Sequence, residues 1–227
     1  MPTSQKIKFV TANSPANEHV TKFGGQPCWI EKPQWPLSKE TGKPMRFIGQ
    51  IALTPPVFTG KSGKMAYLFM TDIDDEYVDG TWKPDGGENA VVIHPGNYSA
   101  PNANILTGPT LYCMTEKEDS ELLETQSVEF VVEFTITEEP PFAPEETRWS
   151  WSEEEHEKYA SQLEGSKIGG APLFLQGDEF PEGDEWKLLL QLDSTAVPFY
   201  VNFGDAGVAY SFINADESKG KLLWQCG

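Results

Sequence analysis

The sequence predicts a predominantly β protein of the α+β class, built from two tandem β-rich repeats related by a pseudo-twofold axis, with two or three short helices. The phrase Lys-Phe-Gly-Gly-Gln-Pro at 22–27 returns as Lys-Ile-Gly-Gly-Ala-Pro at 167–172. Gln50-Ile51 and the Ala-Tyr-Leu-Phe of 66–69 also return, in the same order, as Gln191-Leu192 and the Ala-Tyr-Ser-Phe of 209–212. Constant order and a separation of about 141 to 145 residues indicate a duplication. Because duplicated units normally pack about a twofold axis, we treat 1–227 as one domain with repeats over about 1–126 and 127–227.

Strands are the recurring element, because short apolar segments alternate with Gly, Pro and Asp. The predicted strands cover 6–10, 47–53, 65–70, 90–93, 127–136, 188–192, 207–213 and 221–226. The longest of them, 127–136, mixes acidic and apolar residues, which predicts that one face is in contact with water.

One helix is predicted with clear start and stop signals. Ser152 and Glu155 have capping-box spacing, Tyr159 and Leu163 fall on one face, and Gly165 follows as a stop. A second helix is predicted over 117–124. The proline-rich, charged segment 137–147 is predicted to be an extended connection between the repeats.

The Gly-Gly-x-Pro phrase is interpreted as a tight turn and not as a phosphate loop, since proline removes a backbone donor and apolar chain follows. Gln50 and Gln191 lie in apolar strands, so we expect each to bond the turn backbone of its own repeat. The residues assigned a structural role in the repeats are Gly24, Gly25, Pro27, Gln50, Gly169, Gly170, Pro172, Gln191, Gly204, Asp205 and Gly207.

The net charge of −18 is unevenly distributed along the chain. Residues 1–70 carry nine basic and three acidic side chains, whereas residues 116–186 carry 21 acidic and four basic ones. A field of this sign repels nucleic acid and favours a basic protein or peptide as the partner. The alternative is a solvated acidic face with no partner.

No catalytic or metal-binding constellation is found. His19, His94 and His156 are isolated from one another, and Asp72 to Glu76 resembles a calcium loop only until Tyr77 stands where glycine is needed. Three scattered cysteines favour free thiols and a reducing compartment. With no apolar segment long enough to span a bilayer and no secretory signal, the expectation is a cytoplasmic monomer without cofactor or metal.

Two groups of residues are candidates for partner binding. Trp29 and Trp35 lie in a loop-like segment bounded by prolines, where rigid aromatic area is typical of recognition or of covering a sheet. The predicted helix carries the acidic group Glu153, Glu154, Glu155 and Glu157.

An ordered set of phrases runs from about residue 20 to the C-terminus. It comprises 22–27, Trp35-Pro36, Pro-Met-Arg-Phe-Ile-Gly-Gln at 44–50, Leu-Leu-Gln-Leu-Asp at 189–193 and Gly-Asp-Ala-Gly at 204–207. This set resembles the pattern of the YwqG-like family of bacterial proteins. The resemblance implies a functionally uncharacterised protein, distantly similar to eukaryotic programmed-cell-death and ribosome-biogenesis proteins that escort a new ribosomal protein. The cysteine-rich insertion of those relatives is missing here. Some bacterial members look associated with toxin systems, which implies an immunity role.

The sequence therefore predicts a non-catalytic protein-binding module, of the escort or toxin-immunity type, for a basic partner. The alternative is an enzyme or small-ligand binder with a cleft between the repeats, including Asp193 or Asp205.

Overall fold

The computed structural model describes residues 1–16, 19–59, 63–72, 78–96, 106–116 and 123–227, and within them it contains twelve strands and two helices. The strands of the first part are β1 (Thr3–Thr11), β2 (Lys22–Gly24), β3 (Arg46–Ala52), β4 (Met65–Met70), β5 (Asn89–His94), β6 (Tyr112–Glu116) and β7 (Leu123–Ser127). There follow β8 (Glu129–Glu138), α1 (Glu145–Arg148), α2 (Glu153–Leu163), β9 (Lys167–Gly169), β10 (Trp186–Asp193), β11 (Val208–Asn214) and β12 (Gly220–Gln225).

Ten strands form one antiparallel sheet in the order β12-β11-β10-β9-β1-β8-β2-β3-β4-β5, and β6 pairs with β7 as a separate hairpin. The sheet is nearly closed, because its two end strands, β5 and β12, lie against each other. Gly220 of β12 packs so closely on Val91 of β5 that a Cβ atom there would lie 2.3 Å from the valine.

The two middle strands join the two halves of the sheet. β1 pairs with β8 over its full length, and each then pairs with a short strand on its outer side, β1 with β9 and β8 with β2. One half of the sheet is therefore β2 to β5 and the other is β9 to β12. From the centre outward, the strands of each half follow one another in chain order, β2 to β5 on one side and β9 to β12 on the other.

The largest hydrophobic cluster of the described residues is shared by the two halves. Buried apolar side chains from both, such as Phe23, Ile51, Ile168 and Leu190, belong to one cluster. Smaller clusters cover the other faces: an aromatic one around Tyr67 in the first half, one around Tyr210 in the second, and one under α2. At roughly 25 cal/mol per Å² of buried apolar area, this burial is the main stabilising contribution to the fold.

The predicted strands are all present, with ends within about three residues of the prediction. The helix predicted after Ser152 is confirmed, with Tyr159 and Leu163 buried. Four short strands (β2, β6, β7 and β9) and the one-turn helix α1 were not predicted.

Two predictions about the connections are wrong in part. The predicted helix over 117–124 lies outside the described residues up to 122, and its last two positions instead begin strand β7, where pairing with β6 holds them extended. The predicted connection 137–147 begins two residues too early, because pairing with Thr3 and Ser4 extends β8 to Glu138. It also contains the start of α1. The segment 72–76, which partly resembles a calcium loop in sequence, falls almost wholly outside the described residues.

None of the helices in the described residues has the length and apolar character needed to cross a membrane.

Candidate functional site: the α2 face

Helix α2 begins at a capping box that its sequence dictates. The Ser152 hydroxyl accepts a bond from the Glu155 backbone N–H at 3.3 Å, and the Glu155 carboxylate accepts from the Ser152 backbone N–H at 2.7 Å. The Ser152 backbone N–H and, at 2.9 Å, its hydroxyl both donate to the Glu155 carboxylate, and these two bonds lower the pKa of Glu155 below its ordinary value. Tyr159 and Leu163 point into the protein. Four glutamates of the helix are exposed: Glu153, Glu154 and Glu157 lie away from the buried side, and Glu155 lies beside Tyr159.

A shallow groove of about 390 Å³ runs between α2 and the chain that leads into α1. It is lined by Pro140, Pro141, Ala143, Trp151, Glu155, Lys158, Tyr159 and Gln162. The Trp151 and Tyr159 rings meet edge to face with centroids 5.0 Å apart. The Tyr159 hydroxyl accepts a bond from the Ala143 N–H at 2.9 Å, so the aromatic wall is fixed before any ligand arrives.

Two positions before Trp151, which lines this groove, stands the most exposed tryptophan of the described residues. Trp149 follows α1 and is 74% exposed. Arg148 of α1 forms an ion pair with Asp178, and the same carboxylate accepts from the Glu145 N–H at 2.6 Å. Because Arg148 is thus neutralised locally, the surface around Trp149 keeps the negative sign of its exposed glutamates. We call the groove, the exposed glutamates of α2 and Trp149 the α2 face.

The α2 face combines three features that suit a positively charged chain. Its carboxylates are exposed, its groove offers apolar and aromatic surface, and Lys158 is the one basic side chain among the described residues that line the groove. An exposed large apolar side chain beside charge is typical of interaction sites, since tryptophan is enriched among residues that dominate binding energy.

Trp29 and Trp35, the other predicted contact residues, lie elsewhere. They belong to the aromatic cluster of the first half, with ring centroids 6.2 Å apart, and both are half-buried. Each indole N–H is already bonded to a backbone carbonyl, that of Trp29 to Leu106 and that of Trp35 to Met45. These contacts cover β4 and hold the loop in place. A recognition role for the pair stays a prediction.

His94 is fully buried against the Trp29 and Tyr67 rings of the same cluster. Among the described residues, neither its Nδ1 atom nor the buried Oε1 atom of Glu31 has a hydrogen-bond partner. Burial lowers the pKa of His94, while nearby Glu31 acts in the opposite direction. The other ring nitrogen, Nε2, lies 3.4 Å from the amide of Gln34.

The repeated Lys-x-Gly-Gly phrase builds a buried ion pair in each half. Lys22 bonds Glu129 at 2.8 Å and the Ala16 carbonyl at 2.9 Å. Lys167 bonds Glu139 at 2.8 Å and the Ala171 carbonyl at 2.7 Å. Burial lowers the pKa of Lys167 to about 8, against the attraction of Glu139.

The second glycine of each pair is required by these carboxylates. A Cβ atom on Gly25 would lie 2.3 Å from an oxygen of Glu129, and one on Gly170 would lie 2.1 Å from an oxygen of Glu139. The first glycines, Gly24 and Gly169, have φ of +71°, a left-handed conformation that favours glycine. Pro27 and Pro172 are buried directly after these turns.

Gln50 and Gln191 fasten the segment that follows each turn. Gln50 accepts from the Cys28 N–H at 2.8 Å, and Gln191 accepts from the Leu173 N–H at 2.9 Å. The hydroxyls of two buried tyrosines donate to the carbonyls of the same residues, Tyr67 to Cys28 and Tyr210 to Leu173. The sequence predicted a structural role for the glutamines and showed the tyrosines only as part of the repeated phrases. The role of the tyrosines and the two carboxylates were missed, although the repeated lysine was a signal for the carboxylates.

The phrase at 204–207 forms the turn that leads into β11. A Cβ atom on Gly207 would overlap the Phe203 carbonyl, and Gly204 has φ of +78° against Cys226. The Asp205 carbonyl accepts from the Gly227 N–H at 2.9 Å, so this turn holds the segment that follows β12.

A second concavity of about 450 Å³ lies between the two halves. It is lined by Pro2, Thr3, Val57, Phe58, Thr59, Gly169, Gly170, Lys187, Leu188, Ile213 and Glu217. Asp193 and Asp205, which the sequence suggested for such a cleft, are not in its lining. The Asp193 carboxylate instead bonds the backbone and hydroxyl of Thr195 in a turn.

Within the described part of the chain, no three His, Cys, Asp or Glu side chains come together as a set of metal ligands. All three cysteines are free and half-buried. Burial raises the pKa of the Cys28 thiol, which donates to the Ala16 carbonyl at 3.0 Å. Such a thiol is a weak nucleophile.

Comparison with known proteins identifies the class to which this fold and these repeated motifs belong. A family model described as "Domain of unknown function (DUF1963)" matches residues 21–222. The chain belongs to this family. No curated protein matches it significantly.

Proposed function

We propose that this protein is a non-catalytic binding module that takes a basic protein partner on the α2 face. The observation that carries the proposal is the placement of exposed carboxylates beside a preformed aromatic groove and an exposed tryptophan, Trp149. The carboxylates speed the approach of a basic chain, and the groove accepts an apolar side chain that anchors it.

The role of such a module is escort of a newly made basic protein or masking of a basic toxin, acting as a monomer in the bacterial cytoplasm. Both roles follow from the YwqG-like resemblance together with the charge. We also propose that the two halves are copies related by a pseudo-twofold axis. Two features that occur in each half support this relation. One is the buried Lys–Glu pair, and the other is the glutamine and tyrosine that both bond the backbone of one residue, Cys28 or Leu173.

The test is capture of partners from the native lysate by tagged protein, with washes at about 0.1 M and about 0.5 M salt, where the screening lengths are about 10 Å and about 4 Å. The variant replaces Glu153, Glu154, Glu155 and Glu157 by Gln. Glutamine at position 155 preserves the capping box, so the helix should remain.

A matched control makes the same change in net charge on four exposed acids outside α2, namely Glu40, Glu124, Glu185 and Asp205. We expect one basic protein to be retained at low salt by the wild type and the control, and lost by the α2 variant and at high salt. Equal loss of the captured protein in both variants would show that binding depends on the net charge of the protein and not on the α2 face. Failure of the wild type to enrich any protein would refute the proposal.

A second candidate function is binding of a small molecule in the cleft between the halves. The 450 Å³ cleft favours it, since apolar walls from both halves surround Lys187 and Thr59. A screen by thermal shift should then find compounds that raise the Tm of the wild type but not of Val57→Trp, which fills the cleft. Equal stabilisation of both proteins would place the compounds elsewhere.

A further inference from the structure

Strand β8 has an open edge in the middle of the sheet. Along one side it pairs with β1 from Phe130 to Glu138. Along the other side it pairs with β2 only at Glu129–Val131. Among the residues that the structure describes, no strand pairs with 132–138 on that second side.

The direction of the free backbone groups follows from the register. The Ala12 N–H donates to the Glu129 carbonyl at 3.0 Å, so odd-numbered residues of β8 point their N–H and C=O groups toward β1. The alternate residues point the other way. Phe134 and Ile136 therefore direct their backbone donors and acceptors to the open edge.

The same two residues expose apolar side chains, Phe134 to 38% and Ile136 to 61%. The phenylalanine of the neighbouring strand β1, Phe9, is covered in contrast: its ring packs edge to face on Phe23 and Phe199 and is half-buried. Open edges in monomeric proteins are usually protected by charge, proline or a bulge. An open edge with exposed Phe and Ile is typical of a surface that receives another strand.

We propose that an extended segment of the basic partner pairs with β8 along residues 132–138 and adds a strand to the sheet. Its alternate apolar side chains pack on Phe134 and Ile136, and a Lys or Arg lies near the exposed carboxylate of Glu138. The proposal rests on the proposed binding function for the sign of the partner's charge. A second copy of this chain is disfavoured as the occupant, because each copy carries a net charge of −18.

Amide hydrogen exchange of the full protein tests this pairing residue by residue. The probe is a nine-residue peptide of alternating Lys and Val with blocked ends, and its control is the same peptide N-methylated at every residue, which removes the donors of both of its edges. In the protein alone, the amides of Phe134 and Ile136 should exchange faster than those of Glu133 and Thr135. With about 1 mM peptide they should slow at least about fivefold, and the methylated peptide should have no effect.

A proline variant isolates the backbone contribution. Because the Ile136 N–H points away from β1, Ile136→Pro removes one open donor and leaves the β1–β8 bonds in place. The matched variant Ile136→Val keeps the donor. We expect the proline variant to lose the peptide-induced slowing at Phe134 and the valine variant to keep it. If the proline variant does not fold, the comparison of the methylated with the unmethylated peptide still tests whether backbone pairing causes the slowing.

Two results would overturn the proposal. One is unchanged exchange at Phe134 and Ile136 with the unmethylated peptide. The other is slow exchange at both residues in the protein alone, with exchange becoming slower as the protein concentration is raised. That result would make a second copy of the chain the occupant. Since the probe is synthetic, failure here leaves salt-sensitive lysate capture by the α2 face unaffected, so the two proposals fail separately.

Discussion

Replacing Lys167 by Met should be among the most destabilising single changes in this protein. Its ammonium and the Glu139 carboxylate are both 0% exposed, and the Nζ atom lies 2.8 Å from the carboxylate. The substitution removes the cation but leaves Glu139 in place. The carboxylate still accepts from the Ser4 hydroxyl at 2.7 Å and the Ala171 N–H at 3.0 Å, but it has lost its counterion in a fully buried site.

The expected magnitude follows from that geometry. Removing one partner of a buried, hydrogen-bonded pair costs about 3–5 kcal/mol in the free energy of unfolding. Lys22→Met is the matched comparison in the other half. The Glu129 side chain is 13% exposed and can be hydrated, so we expect only about 1–3 kcal/mol there.

Urea denaturation at pH 7 measures both differences, with an unchanged m-value as the check on two-state unfolding. The double variant Lys167→Met with Glu139→Gln should be more stable than Lys167→Met alone by at least about 1 kcal/mol, because the second change removes the uncompensated charge. A cost below about 1 kcal/mol for Lys167→Met, or no gain in the double variant, would refute the reasoning.

Three further predictions concern positions that the structure constrains locally. Gly24→Ala should lower the free energy of unfolding by at least about 2 kcal/mol, because φ is +71° and the new Cβ would lie 2.1 Å from the Val128 carbonyl oxygen. Gly42 has a similar φ but open space around it, so Gly42→Ala should lower it by only about 1 kcal/mol in the same urea assay. Ser152→Ala should lower the free energy of unfolding by about 1 kcal/mol and speed amide exchange in the first turn of α2. Burial lowers the pKa of His94 from 6.5, so the unfolded chain takes up the proton first and stability falls as pH drops below about 6.5. A His94→Gln variant should lose that part of the slope in unfolding measured from pH 7.5 to 5.

Much of the fold could be predicted because local signals and tertiary structure agree. Met65–Met70 reads as a buried apolar strand and is one, and the Ser152–Glu155 pair predicted the start of α2. Strands β2 and β9 were missed since three residues are too few to show a period. They exist because β8 and β1 supply their hydrogen-bonding partners from far along the chain.

The candidate site was predictable only in part. Exposed glutamates on α2 follow from helical periodicity, but the groove beside them depends on where Pro140 and Tyr159 meet in space. The exposure of Trp149 depends on how α1 is oriented, and α1 is held by a hydrogen bond from the Glu145 N–H to the carboxylate of Asp178. No spacing in the sequence reveals this long-range contact. Conversely, Trp29 and Trp35 looked like loop residues, yet packing on Tyr67 and Phe69 makes them half-buried.

The most direct test of the proposed function is amide exchange of the protein with and without the basic protein captured from its lysate. The proposal predicts that exchange slows in residues 140–163, which contain the groove, Trp149 and α2, and that the Glu→Gln variant of α2 abolishes this slowing. Slowing confined to the Trp29–Trp35 loop or to the cleft between the halves, with 140–163 unchanged, would contradict it.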